Sequence, residues 1–261
     1  MDEERFFILN RGDLEKRLDP VFYQPSTIAF VERIKALGAK PVHNIAERVV
    51  DGPFGTQLKV DEYQEEGVPV IRVSNVRTGE ISEDKLIYIT PEKQYQLRRS
   101  KVLPDDVILT KAGAILGYSA VFPKHLKEGN ITSHSAAITC GNQVLPHYLK
   151  LIFHTEIGQR QIYRWGNKST RPELNTQEVK SILIPVPHKD RQQYLVDQYQ
   201  EAIDSKIAKE QKAQDLLASI DDYLLTELGI DVPPEPENTI ENRTFETTFN
   251  KVYGDRIDPY Y

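Results

Sequence analysis

Four loops are built from glycine, small polar residues and cations in varying proportion, which are the groups that contacts to nucleic-acid bases and phosphates require; the first has no cation and the second no glycine. Glycine lets the backbone approach a phosphate, hydroxyls and amides match the donors and acceptors of base edges, and Lys or Arg supplies positive charge. The loops are Asp51–Gln57, Arg72–Arg77, Thr110–Gly117 and Gly166–Pro172. Taken singly, each is also explained as an ordinary β-turn, because turns need the same residue types.

Ten residues are therefore candidates for contacts with DNA. The first group has long amide or cationic side chains: Gln57, Asn75, Lys111, Lys168 and Arg171. The second group is made of smaller polar side chains and one histidine from the polar cluster 132–135: Thr56, Ser74, His134, Ser169 and Thr170.

The motifs of enzymes that act on DNA are missing, so we predict no catalytic residue and no metal site. A methyltransferase needs a glycine-rich cofactor loop and often an Asp-Pro-Pro-Tyr type motif, and Asp258–Tyr261 lacks the second proline. A nuclease needs carboxylates and a lysine around one metal ion, and Glu83–Lys85 and Glu210–Lys212 belong to elements too distant to share a site. The six histidines show no metal-ligand spacing.

An α+β fold with a β-rich core is expected to position these loops. A helix begins at Pro25 and ends at Gly38, with its apolar face formed by Ile28, Val31, Ile34 and Leu37. Short apolar runs separated by turn residues then predict strands. These runs are Val68–Val73, Leu86–Ile89, Val107–Thr110 and Ile115–Phe122. A second helix is predicted from about Leu145 to Tyr163, followed by the apolar run Ile182–Val186.

A single long helix is predicted for Lys189–Leu228, which contains neither Pro nor Gly. At 1.5 Å per residue this helix would be roughly 60 Å long. Its apolar residues follow the 3–4 spacing of a coiled coil, which Lys206 and Glu210 interrupt. The stripe consists of Val196, Tyr199, Ile203, Ala213, Leu217, Ile220 and Leu224. The helix could instead lie across its own domain, but such a rod would overhang a domain of this size, so we favour a coiled coil.

We divide the chain into four segments: a globular domain (1–187), the long helix (188–228), an acidic proline-rich linker (229–242) and a C-terminal segment (243–261). In the last segment Phe245 and Arg256–Tyr261 repeat Phe6 and Arg17–Phe22 at an offset of 239 residues. A match this short has a chance component; as a genuine repeat it marks the start of a second copy of the whole unit. Whether Tyr261 is the natural end of the protein stays open.

Charge is unevenly distributed along the sequence. The net charge is −6, but seven carboxylates and no cation lie between Asp221 and Asn242, so the rest of the chain sums to about +1. Between Gly158 and Arg171 there are four cations and no carboxylate: Arg160, Arg164, Lys168 and Arg171. The domain is therefore expected to present a basic face to a nucleic acid.

Other features are typical of a cytoplasmic protein. No apolar run approaches the ~18 residues of a membrane span, and the N-terminus is acidic where a signal peptide is basic. Cys140 is the only cysteine and stands in an apolar stretch, so we expect it to pack rather than to react.

Taken in order, several motifs of the chain resemble those of a target-recognition domain from a type I restriction-modification specificity subunit. The resemblance extends from about Arg5 to Leu228. Its motifs are Asp51–Gly55, Gly67–Val76, Leu103–Gly113, Tyr148–Leu149, Ile184–Pro187 and Gln192–Gln193.

This resemblance implies a non-catalytic subunit that binds double-stranded DNA through a mixed α/β target-recognition domain. In that family two such domains are held apart by two long antiparallel helices, and each domain reads one half of a bipartite target. The helices help to dock modification subunits, which bind S-adenosylmethionine and methylate adenine. The restriction subunit, which uses ATP, joins that core. No cofactor is expected on this chain, and the usual member has two recognition domains where this chain has one.

A lone coiled-coil stripe needs a second helix, and another copy of the chain is its simplest source. We expect an antiparallel homodimer that reads two inverted copies of one half-site. The residues expected to form it are Val196, Tyr199, Ile203, Leu217, Ile220 and Leu224.

Two other classes of function remain open at this point. A protein-interaction scaffold would combine a β-rich binding domain with a coiled coil for assembly. An enzyme with a dispersed active site is the third alternative, and the lack of a cofactor motif argues against it.

Overall fold

The structure is a computed structural model that describes residues 7–14, 17–167, 172–231 and 239. The chain divides into two compact units, Met1–Ile203 and Asp204–Tyr261.

The described residues form ten strands. They are β1 (Lys40–Pro41), β2 (Ala46–Asp51), β3 (Val68–Ile71), β4 (Ile87–Ile89), β5 (Lys101–Val102), β6 (Val107–Thr110), β7 (Ser119–Val121), β8 (Gly129–Ile131), β9 (Ser135–Cys140) and β10 (Leu183–Ile184). Eight α-helices are found in the same part of the chain. They are α1 (Pro25–Ala36), α2 (Val42–Ile45), α3 (Pro91–Gln96), α4 (Pro146–His154), α5 (Glu156–Gly166), α6 (Thr176–Ser181), α7 (Lys189–Ala218) and α8 (Ile220–Leu228).

Two four-stranded sheets form the centre of the first unit. The central sheet is antiparallel, in the order β2-β9-β6-β7, and the second sheet has the order β4-β3-β8-β5 with β3 and β8 parallel. A short antiparallel pair joins β1 to β10. The predicted α+β class with a β-rich core is confirmed.

Strand β6 is buried on both faces, because helices cover one side of the central sheet and the second sheet covers the other. Val107 and Leu109 pack into the helix-side core with Phe153 of α4. Ile108 points the opposite way, into a core shared with Phe122. Side chains alternate between the two faces of a strand, so this four-residue apolar run contributes side chains to two cores.

Helix α1 ends as predicted, because Gly38 adopts the left-handed φ of +77° that favours glycine. Val31 and Ile34 are buried, but Leu37 is 71% exposed, so the predicted apolar face is one residue too long.

The single helix predicted for 145–163 is wrong, since α4 and α5 are separated at Thr155. This residue is extended (φ −84°, ψ 168°), and its hydroxyl donates to the Ile152 carbonyl at 2.7 Å. A Cβ on Gly158 would lie 2.4 Å from the same carbonyl oxygen, so the glycine lets α5 fold back closely on α4.

Arg164 was predicted to belong to the basic face, but its side chain is buried. Its guanidinium carbon lies 3.8 Å from the ring centroid of Phe22, and its Nε donates to the Phe22 carbonyl at 2.9 Å. Arg17 lies 4.5 Å from the same ring and donates to the Trp165 carbonyl at 3.0 Å. Both arginines therefore fix the segment before α1 to α5.

The start of α7 packs on the first unit. Gln192 is fully buried, accepts from the Leu145 amide at 2.9 Å and donates to the Gln143 carbonyl at 2.8 Å. Val196 packs against the helix-side core, and the Tyr199 ring lies 5.4 Å from the Lys150 ammonium. These two stripe residues, predicted for a partner helix, are thus half-buried by their own domain.

In the second unit the predicted continuous helix is wrong at Ser219. The Ser219 hydroxyl donates to the Leu216 carbonyl at 3.0 Å, which is the acceptor that the amide of Ile220 uses in a regular helix. Helix α7 therefore ends at Ala218 and α8 begins at Ile220. Gly229 ends α8 in the left-handed conformation, as predicted.

Among the described helices, none is both long and apolar enough to cross a membrane.

We expect the domain to lose stability as pH falls below the ordinary histidine pKa of 6.5. Burial lowers the pKa of His154, whose Nε2 lies 2.8 Å from the Ser119 carbonyl oxygen, and burial also lowers the pKa of His147. The unfolded chain therefore binds protons first, and stability present above pH 6.5 is lost on acidification. Urea unfolding between about pH 7.5 and 5.5 measures this slope. The variant His154→Gln should show a flatter slope, and an unchanged slope would contradict the assignment.

Candidate nucleic-acid interface

Loops from four parts of the first unit converge around one open cleft of about 670 Å³. They follow β2, follow β6, precede β9 and lead into α6. The lining residues are Asp51, Gly52, Phe54, Lys111, Ser133, His134, Gly166, Glu173, Leu174, Asn175, Thr176 and Gln177.

Backbone hydrogen bonds hold these loops together. The Lys111 amide donates to the His134 carbonyl at 2.8 Å, and the Leu174 amide donates to the Lys111 carbonyl at 2.8 Å. The Glu173 amide donates to the Gly166 carbonyl at 3.1 Å, so these two residues lie close together. Two of the four predicted loops, and Gly166 at the start of a third, therefore line the cleft.

Gly52 is required by the close approach of two loops. A Cβ at this position would lie 2.2 Å from the carbonyl carbon of Thr132, a distance at which the backbone must move. The Gly52 amide also donates to the Ser135 carbonyl at 3.4 Å. The glycine predicted for approach to a phosphate thus has a packing role between β2 and β9.

Lys111 lies at the floor of the cleft as half of an ion pair. Its side chain is 7% exposed and its ammonium bonds to the Asp51 carboxylate, whose other oxygen accepts from the Thr176 hydroxyl. The side chain of Asp51 is 42% exposed. The ammonium is neutralised inside the protein, so Lys111 holds the carboxylate in place, and the exposed group is an acceptor. An acceptor of this kind suits the amino group of cytosine.

Other polar groups and one aromatic ring complete the cleft. His134 is exposed, and Ser133 and Gln177 add hydroxyl and amide groups. Phe54 is 76% exposed at the same cleft. The combination supplies donors, acceptors and an apolar face, which are the groups that read base edges.

Gln57 and Thr56 lie in the loop after β2. Gln57 lines an adjoining cavity of about 450 Å³ that shares Asp51, Gly52 and Phe54 with the cleft. Thr56 is exposed in the same loop.

The loop after β3 does not line the cleft. Asn75 is 2% exposed, and its amide donates to the Ser82 and Asp84 carbonyls, both at 3.1 Å, while its oxygen accepts from the Arg72 amide at 3.2 Å. With its hydrogen bonds made inside the loop, Asn75 shapes that loop rather than reading a base. Ser74 beside it is exposed.

The candidates Lys168, Ser169, Thr170 and Arg171 lie outside the described residues. Gly166 at the start of their loop and Glu173 just after it are both part of the cleft lining.

Sequence reasoning missed the wall formed by Asn175, Thr176 and Gln177. The signal was present as a capping box: Asn175 accepts from the Glu178 amide at 3.0 Å, and Glu178 accepts from the Asn175 amide at 2.9 Å. This pattern marks a helix start. It does not reveal that α6 begins beside Lys111, because that depends on long-range packing.

Within the described ranges, no group of three or more His, Cys, Asp or Glu side chains is arranged to hold a metal ion. Burial raises the pKa of the Cys140 thiol to about 12, so this cysteine stays protonated.

Comparison with known proteins gives one curated relative and several solved structures. No protein-family model matches the chain. The chain is 24% identical over 156 residues to the type I restriction enzyme EcoBI specificity subunit of Escherichia coli, a match that covers 59% of this chain and 32% of that protein. This chain thus spans about a third of the curated relative.

Two solved structures share the fold. One is the HsdS subunit from Thermoanaerobacter tengcongensis, with a TM-score of 0.51 and 14% identity over 77% of this chain and 51% of that chain. The other comes from work on complex assembly and conformational transition of the type I restriction-modification system. Its TM-score is 0.52 at 15% identity, and it covers 76% of this chain and 52% of that chain. The resemblance inferred from ordered motifs is confirmed: the chain is similar in sequence to a type I restriction enzyme specificity subunit, and it shares its fold with these two structures.

Proposed function

We propose that this chain is a sequence-specific DNA-recognition subunit of a type I restriction-modification complex, and that the cleft reads one half of a bipartite target. The observation that carries the proposal is the convergence of two predicted reader loops, and of Gly166 from a third, on one polar cleft in a chain similar to specificity subunits.

The chain itself is proposed to be non-catalytic. Modification subunits would bring S-adenosylmethionine and the methyl-transfer chemistry, and the restriction subunit, with ATP, would join through them in the cytoplasm. The recognition subunit then contributes binding energy and position, while the reaction occurs on another chain.

A second copy of the chain is proposed as the direct partner. Leu217, Ile220 and Leu224 are 69%, 48% and 47% exposed in the second unit. Apolar residues at this spacing are normally covered by another helix. A homodimer would place two recognition domains on one DNA, related by a two-fold axis.

The decisive experiment measures binding to duplex DNA with the modification subunit present. The target is first selected from a random duplex library, and its affinity is then measured over a range of salt concentrations. We expect specific binding that weakens linearly in a plot of log affinity against log salt. Failure to bind any duplex at low salt would overturn the proposed function.

Substitutions at the cleft should weaken specific binding more than non-specific binding. Gln57→Ala and His134→Ala are each expected to cost about 1 to 3 kcal/mol on the selected target if they contact base edges. Gln57→Ala should leave the salt dependence unchanged, because glutamine neutralises no phosphate. Ser74→Ala is the matched control, an exposed reader candidate outside the cleft. If both cleft variants bind like the wild type while Ser74→Ala binds weakly, the loop after β3 is the reading surface instead.

A further inference from the structure

The apolar stripe of the second unit continues upstream in the same 3–4 spacing. Counting back from Leu217, the stripe positions are Ala213, Glu210, Lys206 and Ile203. The apolar positions thus flank two adjacent charged positions of opposite sign.

Among the residues that the structure describes, the recorded ion pair of Lys206 and Glu210 is the exposed one that they form with each other. Their side chains are 65% and 59% exposed, and they face each other as an i,i+4 pair at 3.6 Å. An exposed pair of this kind adds little to the stability of its own helix. Both groups therefore remain accessible to a second helix.

The stripe is symmetric about the level of residue 208. Moving outward, Lys206 mirrors Glu210, Ile203 mirrors Ala213, and Tyr199 mirrors Leu217. In an antiparallel pair of identical helices with its two-fold axis at this level, each charged position meets its opposite, and each apolar position meets another apolar position.

Neighbouring registers lack this match. Sliding by one heptad in one direction places Lys206 against the partner's Ile203 and Glu210 against the partner's Tyr199. Sliding the other way places Lys206 against the partner's Leu217 and Glu210 against the partner's Ala213. A parallel pair would align like charges. The slipped registers place charges against apolar groups, and the parallel pair places like charges against each other. Both arrangements are unfavourable.

We propose, building on the homodimer proposed above, that two copies pair antiparallel in one register, with Lys206 of each protomer against the partner's Glu210. Two reciprocal ion pairs then cross the two-fold axis. The partner's Leu217 covers the part of Tyr199 that its own domain leaves exposed, since Tyr199 is only half-buried there. The charges exclude the slipped registers, and the apolar positions supply the binding energy.

The register is tested with two full-length cysteine variants, Ile203→Cys and Ala213→Cys, one carrying a tag that changes its mass. Mixed and mildly oxidised, they should form a disulfide between unlike chains, because the two positions face each other. Neither variant alone should cross-link. In this register two copies of position 203 lie ten residues apart along the axis, about 15 Å, which is beyond the reach of a disulfide. The native Cys140 thiol, with its pKa raised to about 12 by burial, stays out of the reaction.

Cross-linking of each variant with itself, or none in the mixture, would overturn the register. Light scattering on the wild type separates this failure from that of the homodimer. A mass of two chains without the cross-link would contradict the register alone, and a mass of one chain would contradict both the register and the homodimer. Charge reversal gives an independent measurement. Lys206→Glu or Glu210→Lys alone should dissociate about tenfold more readily than the wild type, and an equimolar mixture should recover wild-type affinity as a heterodimer. Equal affinities in all samples would show that the charges do not set the register.

Discussion

The variant Asp106→Ala is expected to lower the free energy of unfolding by about 3 kcal/mol, because it removes a buried carboxylate around which three segments are organised. The carboxylate is 2% exposed and accepts from Arg48 Nη2 at 2.9 Å, from the Leu103 amide at 2.9 Å and from the Thr139 hydroxyl at 2.6 Å. These partners belong to β2, the turn before β6, and β9. Without the carboxylate, the Leu103 amide and the Thr139 hydroxyl lose their acceptor, and the guanidinium loses its counter-charge.

Urea denaturation at neutral pH measures this loss. The matched control is Asp105→Asn, which removes the neighbouring carboxylate at a side chain that is 43% exposed and lies 3.5 Å from Lys124. Asparagine tolerates the left-handed φ of 71° at this position, and exposed ion pairs contribute at most about 1 kcal/mol. If both variants unfold at the same urea concentration, Asp106 does not organise these segments.

The double variant Leu217→Asp/Leu224→Asp is expected to abolish dimerisation and, with it, tight binding to a DNA that carries two half-sites. Both leucines lie on the exposed stripe of the second unit. In the proposed register Leu217 faces the partner's Tyr199, so an aspartate there would place a desolvated charge against an apolar ring, at a cost on the order of 3 kcal/mol per residue. Each such cost raises the dissociation constant by about a hundredfold.

Light scattering and DNA binding together check this result. Leu216→Asp provides the control, since Leu216 is 61% exposed on the same helix but lies beside the stripe. This variant should remain dimeric. A double variant that still has the mass of two chains would place the dimer contact elsewhere on the molecule.

Local sequence signals predicted much of the fold. Apolar runs identified β3, β4, β6 and β7, and Gly38 and Gly229 end their helices as expected. The errors fall where a single side chain overrides a helical pattern. Thr155 and Ser219 each donate a hydroxyl proton to a carbonyl one turn earlier, and such bonds are invisible in a hydrophobic period.

The sequence predicted which loops form the candidate site better than it predicted which residues are free to contact a ligand. Composition pointed to the loops after β2 and β6, which meet at the cleft. It did not show that Asn75 bonds within its own loop or that Lys111 is neutralised by Asp51. Both facts depend on partners distant in the sequence, or on how a loop folds back on itself, and a residue type does not specify either.

The division between the rigid floor and the exposed rim of the cleft has a consequence for engineering. A graft from another recognition domain should keep Gly52, Asp51 and Lys111, because they join β2, β6 and β9 through close backbone contact and an ion pair. Phe54, Gln57 and His134 are exposed around that floor. A chimera that exchanges only these rim residues should therefore unfold like its parent while its preferred DNA sequence changes.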